Sequence, residues 1–337
     1  MSAAVVVRAP AKVNFFLRIL AREESGYHQI ETLLQALELH DTVRVEPRSE
    51  PGVALEVAGS SLEPGGVVDA PGLHEPDADD SGPGALGPDE ENLAYRAAVA
   101  YRERAGLAEE PGVRIRLEKR IPAGAGMGGG SSDAAAVLRA LDVIHEGILE
   151  RPALLRVAAG LGSDVPFFLG PGPLALAWGR GERLLGLPAL DPRPVVVVVP
   201  DYRISTAVAY GRLARKRAEA GAGSGETEAG GRAAAVAPPA PFTVSDLSSW
   251  EGLRRRAGND FEDVVFEERP GGRRILEALA SAGGSPALLS GSGSALYGVF
   301  EAAGAADEAA HRLAAGFPEA SVLRTTTLPD WHPILTS

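Results

Sequence analysis

One glycine-rich segment has the composition of a phosphate-binding loop. Residues 122–136 have the sequence Pro-Ala-Gly-Ala-Gly-Met-Gly-Gly-Gly-Ser-Ser-Asp-Ala-Ala-Ala, and the apolar residues that follow recur at helical spacing. The pattern predicts a glycine loop that runs directly into an amphipathic helix. Exposed backbone N–H groups and the positive end of the helix dipole favour a bound phosphate at such a junction. Ser131 and Ser132 could cap the helix and offer hydroxyls to a phosphate or to Mg²⁺.

Two other glycine-rich motifs fit this segment less well. Gly124, Gly126 and Gly129 match the GxGxxG spacing of dinucleotide-binding proteins. A proline separates them from the preceding strand, however, and no strand that ends in an acidic residue follows about 20 residues later. A P-loop requires a Gly-Lys pair, which the sequence lacks. The structural alternative is a flexible loop with an ordinary serine cap.

The lysines form a second set of candidates. The sequence has three of them, Lys12, Lys119 and Lys216, among its 33 cationic residues. Where arginine is the default cation, a retained lysine indicates a need for a compact ammonium group, which the planar guanidinium cannot imitate. Lys216 lies in an Arg-Lys-Arg run beside a low-complexity stretch, and we expect it to be merely solvated.

The periodicity of the chain predicts the elements that must position these residues. Residues 12–19 alternate as a strand, which places Lys12 and Asn14 on one face. A turn at residues 25–26 then precedes strand-like segments at 30–39 and 42–46. Further strands are predicted at 114–121, 195–199 and 295–300, and helices at 92–104, 274–282 and 305–315. Residues 59–90 are predicted to be a long surface insertion, and residues 218–241 a disordered loop.

Length and composition limit the function classes. A chain of 337 residues favours two domains that share a cleft. Its longest apolar run is five valines, which excludes a membrane-spanning helix, and its start has no signal-peptide pattern, so we expect a cytoplasmic protein. The absence of cysteine excludes a disulfide scaffold and thiolate chemistry. The net charge of −12 argues against a general nucleic-acid binder.

Three segments resemble the GHMP kinase superfamily. They are the glycine segment 122–136, residues 9–17 (Ala-Pro-Ala-Lys-Val-Asn-Phe-Phe-Leu) and residues 289–298 (Leu-Ser-Gly-Ser-Gly-Ser-Ala-Leu-Tyr-Gly). Residues 12–17, 26–28 (Gly-Tyr-His) and 161–168 (Leu-Gly-Ser-Asp-Val-Pro-Phe-Phe) are most similar to a branch of the superfamily that acts on a cytidine diphosphate compound. The resemblance covers nearly the whole chain, with segments 59–90 and 218–241 as departures.

The resemblance implies a two-domain α+β fold. Residues 1–165 would form a domain like the second domain of ribosomal protein S5 and carry the ATP loop, and residues 166–337 would form a ferredoxin-like domain. The implied reaction is Mg²⁺-dependent transfer of the γ-phosphoryl group of ATP to the 2-hydroxyl of 4-diphosphocytidyl-2-C-methyl-D-erythritol, in the non-mevalonate isoprenoid pathway. The alternatives are a homoserine- or mevalonate-type kinase, or a non-catalytic nucleotide sensor. The presence of both Lys12 and Asp164 disfavours the sensor.

The resemblance also assigns the residues of the site. Asp164 would be the catalytic carboxylate, which orients or deprotonates the accepting hydroxyl, and Lys12 would keep it ionised. The nucleotide would bind at Asn92, Lys119, Pro122, Gly124, Gly126, Gly128, Gly129, Gly130, Ser131 and Ser132. The substrate would bind at Asn14, Tyr27, His28, Thr206 and Tyr210, with Asn259, Asp260 and residues 291–294 at its diphosphate end. Helix caps are the structural alternatives for Asp164 and Asn92, and core packing is the alternative for Tyr210.

Overall fold

The computed structural model describes residues 4–22, 28–59, 64–69, 89–222 and 242–336. Within these ranges, every helix is too short or too polar to cross a membrane. The cytoplasmic location stays a prediction.

The first sheet is built around two long antiparallel strands, β1 and β2. Strand β2 also pairs with β5 and β6, β3 joins the far side of β5, and β7 extends β6, while β13 and the short β9 pair with β1. The strands of this sheet, numbered along the chain, are β1 (Val5–Arg22), β2 (His28–Pro51), β3 (Val53–Gly59), β5 (Pro111–Lys119), β6 (Leu174–Gly179), β7 (Arg183–Gly186), β9 (Gly258–Asn259) and β13 (Leu335–Thr336).

Strand β1 does not alternate cleanly where the predicted site residues lie. Its pairing with β2 shifts register between Pro10 and Lys12 and again between Asn14 and Phe16. Irregularities of this kind re-aim the side chains of a strand. Phe15 and Phe16, which strict alternation would place on opposite faces, pack in the same buried cluster. The shifts bracket the three residues from Lys12 to Asn14.

Four helices pack on the first sheet, and their apolar faces form one core with it. They are α1 (Leu93–Ala105), α2 (Gly129–Ile144), α3 (Arg151–Leu161) and α4 (Val165–Phe168), and a short 3₁₀ turn at Asp89–Glu91 precedes α1. The later helices are α5 (Thr206–Ala222), α6 (Val244–Leu247), α7 (Trp250–Arg256), α8 (Glu262–Glu268), α9 (Pro270–Ser281) and α10 (Ala303–Gly316).

The second sheet has the ferredoxin-like arrangement. Its strands are β4 (Val67–Asp69), β8 (Pro194–Val199), β10 (Ala287–Leu289), β11 (Leu296–Val299) and β12 (Ser321–Thr326), in the order β10-β11-β8-β12-β4. Strands β8, β10, β11 and β12 alternate with helices as βαββαβ, and β11 pairs antiparallel between β8 and β10. Strand β4 adds a parallel edge beside β12.

Several predicted elements are confirmed, and three expectations need correction. The predicted strands 30–39 and 42–46 are one continuous strand, β2. Segment 59–90 was predicted to be a surface insertion, but it contributes β4 to the second sheet. Helix α5 continues to Ala222, inside the predicted disordered loop 218–241, whose residues 223–241 lie outside the described residues. The division of the chain after residue 165 stays a prediction, and β6 and β7 extend the first sheet beyond it.

Two glycine loops meet where the sheets come together. The first glycine loop, residues 123–130, precedes α2, and the second glycine loop, residues 290–294, joins β10 to β11. The Ala295 N–H donates to the Ala125 carbonyl at 3.1 Å. Gly126 has φ +80°, and a Cβ there would lie 2.2 Å from the carbonyl oxygen of Ser290. Glycine at position 126 therefore permits both the turn and the close approach.

We expect Gly126→Ala to lower the stability of the fold more than Gly124→Ala does. Both glycines have left-handed backbones, but a Cβ at Gly124 would meet one side-chain atom at 3.9 Å, in ordinary contact. Gly124→Ala should cost about 1–2 kcal/mol from backbone strain. Gly126→Ala should cost about 2–5 kcal/mol, because overpacking against the second loop adds to that strain. Urea unfolding of both variants provides the comparison, and equal losses would contradict the importance of the loop contact.

Candidate active site

Lys12 and Asp164 form an ion pair at the centre of the candidate site. The Lys12 Nζ lies 3.6 Å from Oδ2 of Asp164, and the two side chains are 6% and 32% exposed. Asp164 stands at the N-terminus of α4, but its side chain accepts no capping hydrogen bond within the described part of the chain. The helix-cap alternative for Asp164 is therefore wrong. Its carboxylate is exposed enough to meet a ligand, while the ammonium beside it is buried.

The first glycine loop holds the Lys12 stem. The backbone N–H of Lys12 donates to the Met127 carbonyl at 2.9 Å. Gly128 has φ +73°, and a Cβ there would lie 3.0 Å from Cγ of Lys12. The ammonium itself donates to Oδ1 of Asn14 at 2.9 Å, so Lys12 and Asn14 do share a face of β1, as the sequence predicts.

A cavity of about 600 Å³ lies over the first glycine loop. Nine of the ten predicted nucleotide-binding residues line it, namely Asn92, Lys119, Pro122, Gly124, Gly126, Gly128, Gly129, Gly130 and Ser131. The tenth, Ser132, is buried beneath the loop, and its hydroxyl has no hydrogen-bond partner among the described residues. The structure thus brings the predicted set together, while the nucleotide itself stays a prediction.

Two predicted details of this cavity change. The predicted serine caps are wrong, because Gly128 is the N-cap of α2 and both serines lie inside the first turn. Asn92 does cap α1, since its Oδ1 accepts the Ala94 N–H at 2.9 Å. The cap alternative for Asn92 is therefore confirmed, although the residue also faces the cavity.

Lys119 lies between two buried carboxylates that sequence reasoning missed. Its ammonium donates to Asp41 and to Asp133, and Asp41 also accepts the Ile121 N–H at 2.8 Å. Burial acts to lower the pKa of Lys119, but the charges of Asp133 and Asp41 outweigh it and raise that pKa. Burial, with the nearby Asp41 charge, raises the pKa of Asp133 well above its usual value. The cluster ties the end of β5 to the start of α2 beneath the first glycine loop.

A second cavity of about 730 Å³ contains three of the predicted substrate residues, His28, Thr206 and Tyr210. The rings of His28 and Tyr210 are stacked with centroids 4.8 Å apart, and Phe261 meets Tyr210 edge-on at 4.8 Å. Burial, and then the charge of Asp164, raises the pKa of Tyr210 to about 12. The phenol therefore stays protonated, and Asp164 lies close to this cavity as well.

The two cavities adjoin at Thr206, which lines both. Its hydroxyl is 2.7 Å from the hydroxyl of Ser292 in the second glycine loop. Sequence reasoning missed three more residues that line the second cavity: Ser163, Arg180 and Glu182. The glycines at 179 and 181 indicate a turn there, and that signal could have pointed to the charged pair.

Four more residues were predicted for the substrate side. Tyr27 lies outside the described residues. Asn14 is buried and bonds to protein groups, and Asn259 donates to the carbonyls of Leu289 and Gly291 at 2.8 and 2.7 Å. Asp260 accepts the Ile19 N–H and pairs with Arg217. Asn259 and Asp260 thus support the second glycine loop and β1, and their predicted roles toward a ligand stay predictions.

Comparison with known proteins identifies the family. Residues 92–172 match the model of the GHMP kinases N terminal domain, and residues 243–319 match that of the GHMP kinases C terminal region. A 4-diphosphocytidyl-2-C-methyl-D-erythritol kinase from Anaeromyxobacter dehalogenans (strain 2CP-C) is 40% identical over 91% of this chain and 84% of its own length. The chain belongs to the 4-diphosphocytidyl-2-C-methyl-D-erythritol kinase family. A relative with the same name from Solibacter usitatus (strain Ellin6076) is 37% identical over 87% of this chain and 80% of its own.

Solved structures agree with this membership. A crystal structure of a 4-(cytidine 5'-diphospho)-2C-methyl-D-erythritol kinase is 34% identical, with a TM-score of 0.68 over 96% of this chain and 98% of its own. A homoserine kinase from Cytophaga hutchinsonii is 18% identical, with a TM-score of 0.66 over 100% of this chain and 98% of its own, which shows the shared fold alone. The predicted two-domain α+β GHMP kinase fold is confirmed.

We expect Lys119→Met to destabilise this family member strongly. The variant leaves two buried carboxylates without their cation, and breaking a buried pair in this way costs about 3–5 kcal/mol. The variant lacks the charge that acts to lower the pKa of Asp133, so this carboxyl group should bind a proton at a higher pH in the folded variant than in the folded wild type. The loss of stability should therefore shrink as the pH falls from 8 to 5. Urea unfolding at both pH values measures it.

Lys216→Met is the matched control for this prediction. Lys216 pairs with Glu267 on the surface, where screening by water leaves little net energy. The urea midpoint of the Lys216→Met variant should equal that of the wild type at both pH values. A Lys119→Met protein as stable as Lys216→Met would contradict a structural role for the Asp41–Lys119–Asp133 cluster.

Proposed function

We propose that the protein transfers the γ-phosphoryl group of ATP to the 2-hydroxyl of 4-diphosphocytidyl-2-C-methyl-D-erythritol. One observation carries the proposal: Lys12 packs beside Gly128 of the first cavity, and its partner Asp164 directly follows Gly162 and Ser163 of the second cavity, which contains a stacked aromatic pair. The first cavity, over a glycine loop, suits a nucleoside triphosphate. The second, with its aromatic rings, suits an acceptor that has a flat base. The names of relatives up to 40% identical support the choice of acceptor.

The first glycine loop and α2 provide the phosphate site. Backbone N–H groups at the start of a helix, together with its dipole, stabilise negative charge. Three successive glycines, Gly128, Gly129 and Gly130, start α2. A Cβ at Gly128 would lie 3.0 Å from Lys12, and one at Gly129 would lie 3.1 Å from Ile121, so glycine lets the start of the helix pack closely on the residues beneath it. The nucleoside would contact Asn92 and Lys119, which line the same cavity.

The residues at this loop fit a Mg²⁺ ion that the nucleotide brings with it. Mg²⁺ keeps several waters and usually takes only one or two protein oxygens besides the phosphates of the substrate. The described residues contain no cluster of three or more His, Asp or Glu side chains that could hold a metal by itself. They do contain the buried, unpartnered hydroxyl of Ser132 and the neighbouring Ser131 at the loop. When bound, the ion offsets charge on the transferring phosphoryl group.

Asp164 and Lys12 would carry the chemistry of the acceptor side. The carboxylate of Asp164 accepts the proton of the attacking hydroxyl and fixes its direction. Lys12 pairs with that carboxylate and provides positive charge near the transferring group. Because phosphoryl transfer depends mainly on positioning and charge stabilisation, a buried ammonium and a partly exposed carboxylate are sufficient protein groups.

The proposal is tested by ADP release from purified protein and ATP, with 4-diphosphocytidyl-2-C-methyl-D-erythritol, homoserine or mevalonate as acceptor. Only the first should support turnover, and turnover with another acceptor instead would overturn the proposal.

Asp164→Asn should lower kcat at least about 100-fold, because the amide cannot take the proton, while ATP binding stays nearly intact. Asp191→Asn, at an exposed side chain in the segment that precedes β8, is the control and should keep normal kcat.

Tyr210 tests the recognition of the base. If cytosine stacks on this ring, Tyr210→Ala should lower kcat/KM for the cytidine substrate roughly 5- to 150-fold, which corresponds to the loss of about 1–3 kcal/mol of stacking energy. Tyr210→Phe should lose little, since the ring face makes the contact, and the KM for ATP should hardly change in either variant. A tyrosine that only packs against Phe261 would instead lower the melting temperature and affect both substrates. An unchanged KM for the cytidine substrate in a stable Tyr210→Ala protein would remove Tyr210 from the site.

A further inference from the structure

Asn14 is a buried polar side chain whose carboxamide bonds to three different parts of the site. It is 3% exposed. Its Oδ1 accepts from the Lys12 ammonium at 2.9 Å and from the Gly291 N–H at 3.1 Å, and its Nδ2 donates to the Thr32 hydroxyl at 2.8 Å. Asn14 thus joins Lys12, the second glycine loop and β2 through a single group.

The network fixes the orientation of the Asn14 amide. The ammonium of Lys12 and the N–H of Gly291 can only donate, so the atom that faces them must be the oxygen. The Thr32 hydroxyl donates to the Phe16 carbonyl at 2.7 Å, which leaves its lone pairs to accept from the Asn14 nitrogen. If the amide were flipped, its NH₂ group would face the Lys12 ammonium and the Gly291 N–H, and all three groups are donors. The arrangement therefore has one consistent set of hydrogen bonds.

Further contacts hold both sides of this network. The hydroxyl of Tyr297 donates to the Asn14 carbonyl at 2.8 Å, which anchors the backbone of β1 to β11. On the other side, the Asn259 side chain donates to the Gly291 carbonyl at 2.7 Å and so fixes the second glycine loop. A Cβ at Gly291 would lie 3.4 Å from the Lys12 Nζ, so this loop passes directly beside the ammonium.

We propose that Asn14 is a positioning residue, through which the second glycine loop fixes the Lys12 ammonium toward Asp164 and the transferring phosphoryl group. Its effect on catalysis rests on the function proposed above. An ammonium has three donors, and the bond to Asn14 uses one and sets the directions of the others. A neutral acceptor does this without neutralising the charge of Lys12, whereas a carboxylate in its place would compete with Asp164 and with phosphate.

This role differs from direct binding of the substrate. The buried carboxamide of Asn14 is already satisfied by protein groups, because its oxygen accepts two hydrogen bonds and its nitrogen donates to Thr32. A residue that acts through Lys12 should affect kcat and should depend on Lys12. A residue that binds the acceptor should mainly affect its KM and should act independently.

The scarcity of lysine allows a test that does not depend on turnover. Protein labelled with ¹⁵N-lysine contains three ammonium groups, those of Lys12, Lys119 and Lys216. In Asn14→Ala, the hydrogens of the Lys12 ammonium should exchange with water at least about tenfold faster, the scale of one lost charge-assisted hydrogen bond. The signal of Lys119, held by its own carboxylates, should stay unchanged and serves as the internal control. Unchanged exchange at Lys12 would overturn the proposal.

A double-mutant cycle tests the catalytic part. Asn14→Ala should lower kcat by about 100-fold, the scale of a small misplacement of a reacting group, with the KM for ATP within about twofold. In a Lys12→Ala background the same change should have almost no further effect, because the group it positions is gone. Additive losses, or a change confined to the KM of the acceptor, would contradict the role.

Two variants complete the design. Tyr297→Phe removes a neighbouring buried hydrogen bond to the Asn14 backbone but leaves the carboxamide in place, so it should lower the melting temperature while exchange at Lys12 stays slow, and fast exchange in this variant would overturn the assignment to the carboxamide. Asn14→Asp preserves volume and the acceptor if Asn14→Ala fails to fold. It should keep slow exchange at Lys12 and still lower kcat, and a normal kcat would overturn the argument from neutrality. If wild-type protein turns over no acceptor, the proposed function fails, while the exchange comparison still decides the role of Asn14.

Discussion

The contact between the two glycine loops is the constraint on which the site depends. A Cβ at Gly126 would lie 2.2 Å from the Ser290 carbonyl, so the loops can touch only because no side chain is present there. The first loop also accepts the Lys12 N–H, and the second donates to the side chain of Asn14. The segment of β1 that contains Lys12 and Asn14 is therefore hydrogen-bonded to both loops. The position of one ammonium group follows from the packing of two sheets.

The protein buries two lysines in opposite electrostatic surroundings. Lys119 has two carboxylates, which satisfy its charge and fix it as part of the scaffold beneath the first glycine loop. Lys12 has a neutral amide oxygen at 2.9 Å and a partly exposed carboxylate at 3.6 Å. Its charge is therefore less compensated and can act on a ligand. A guanidinium is larger and directs five donors in a fixed plane, which explains why a chain rich in arginine has lysine at both positions.

Local patterns in the sequence predicted the glycine loop, the following helix, and the shared face of Lys12 and Asn14. What the sequence could not reveal depends on long-range pairing. The register shifts around Lys12 arise from β2, and β4 is a strand because it pairs with β12, far along the chain, despite a loop-like composition around it. Asp41 was missed because it meets Lys119 only in the folded sheet. The serine caps were wrong because Gly128, in a left-handed conformation, starts α2 earlier than capping preferences suggest.

The geometry of the aromatic pair shows how the two halves of the cleft must cooperate. Tyr210 meets Phe261 edge-on, and Phe261 packs in a core that is built mainly on the second sheet. His28 begins β2 of the first sheet and covers a face of the same ring at 4.8 Å, which leaves no space for a base between them. A base that enters between the rings must therefore displace His28, while one that stacks elsewhere on Tyr210 is still fixed relative to the second sheet. The first glycine loop, by contrast, leads into α2, whose apolar face packs in the core of the first sheet. In the proposed reaction, acceptor and donor would then meet at Asp164 only while the contact between the glycine loops holds the two sheets together.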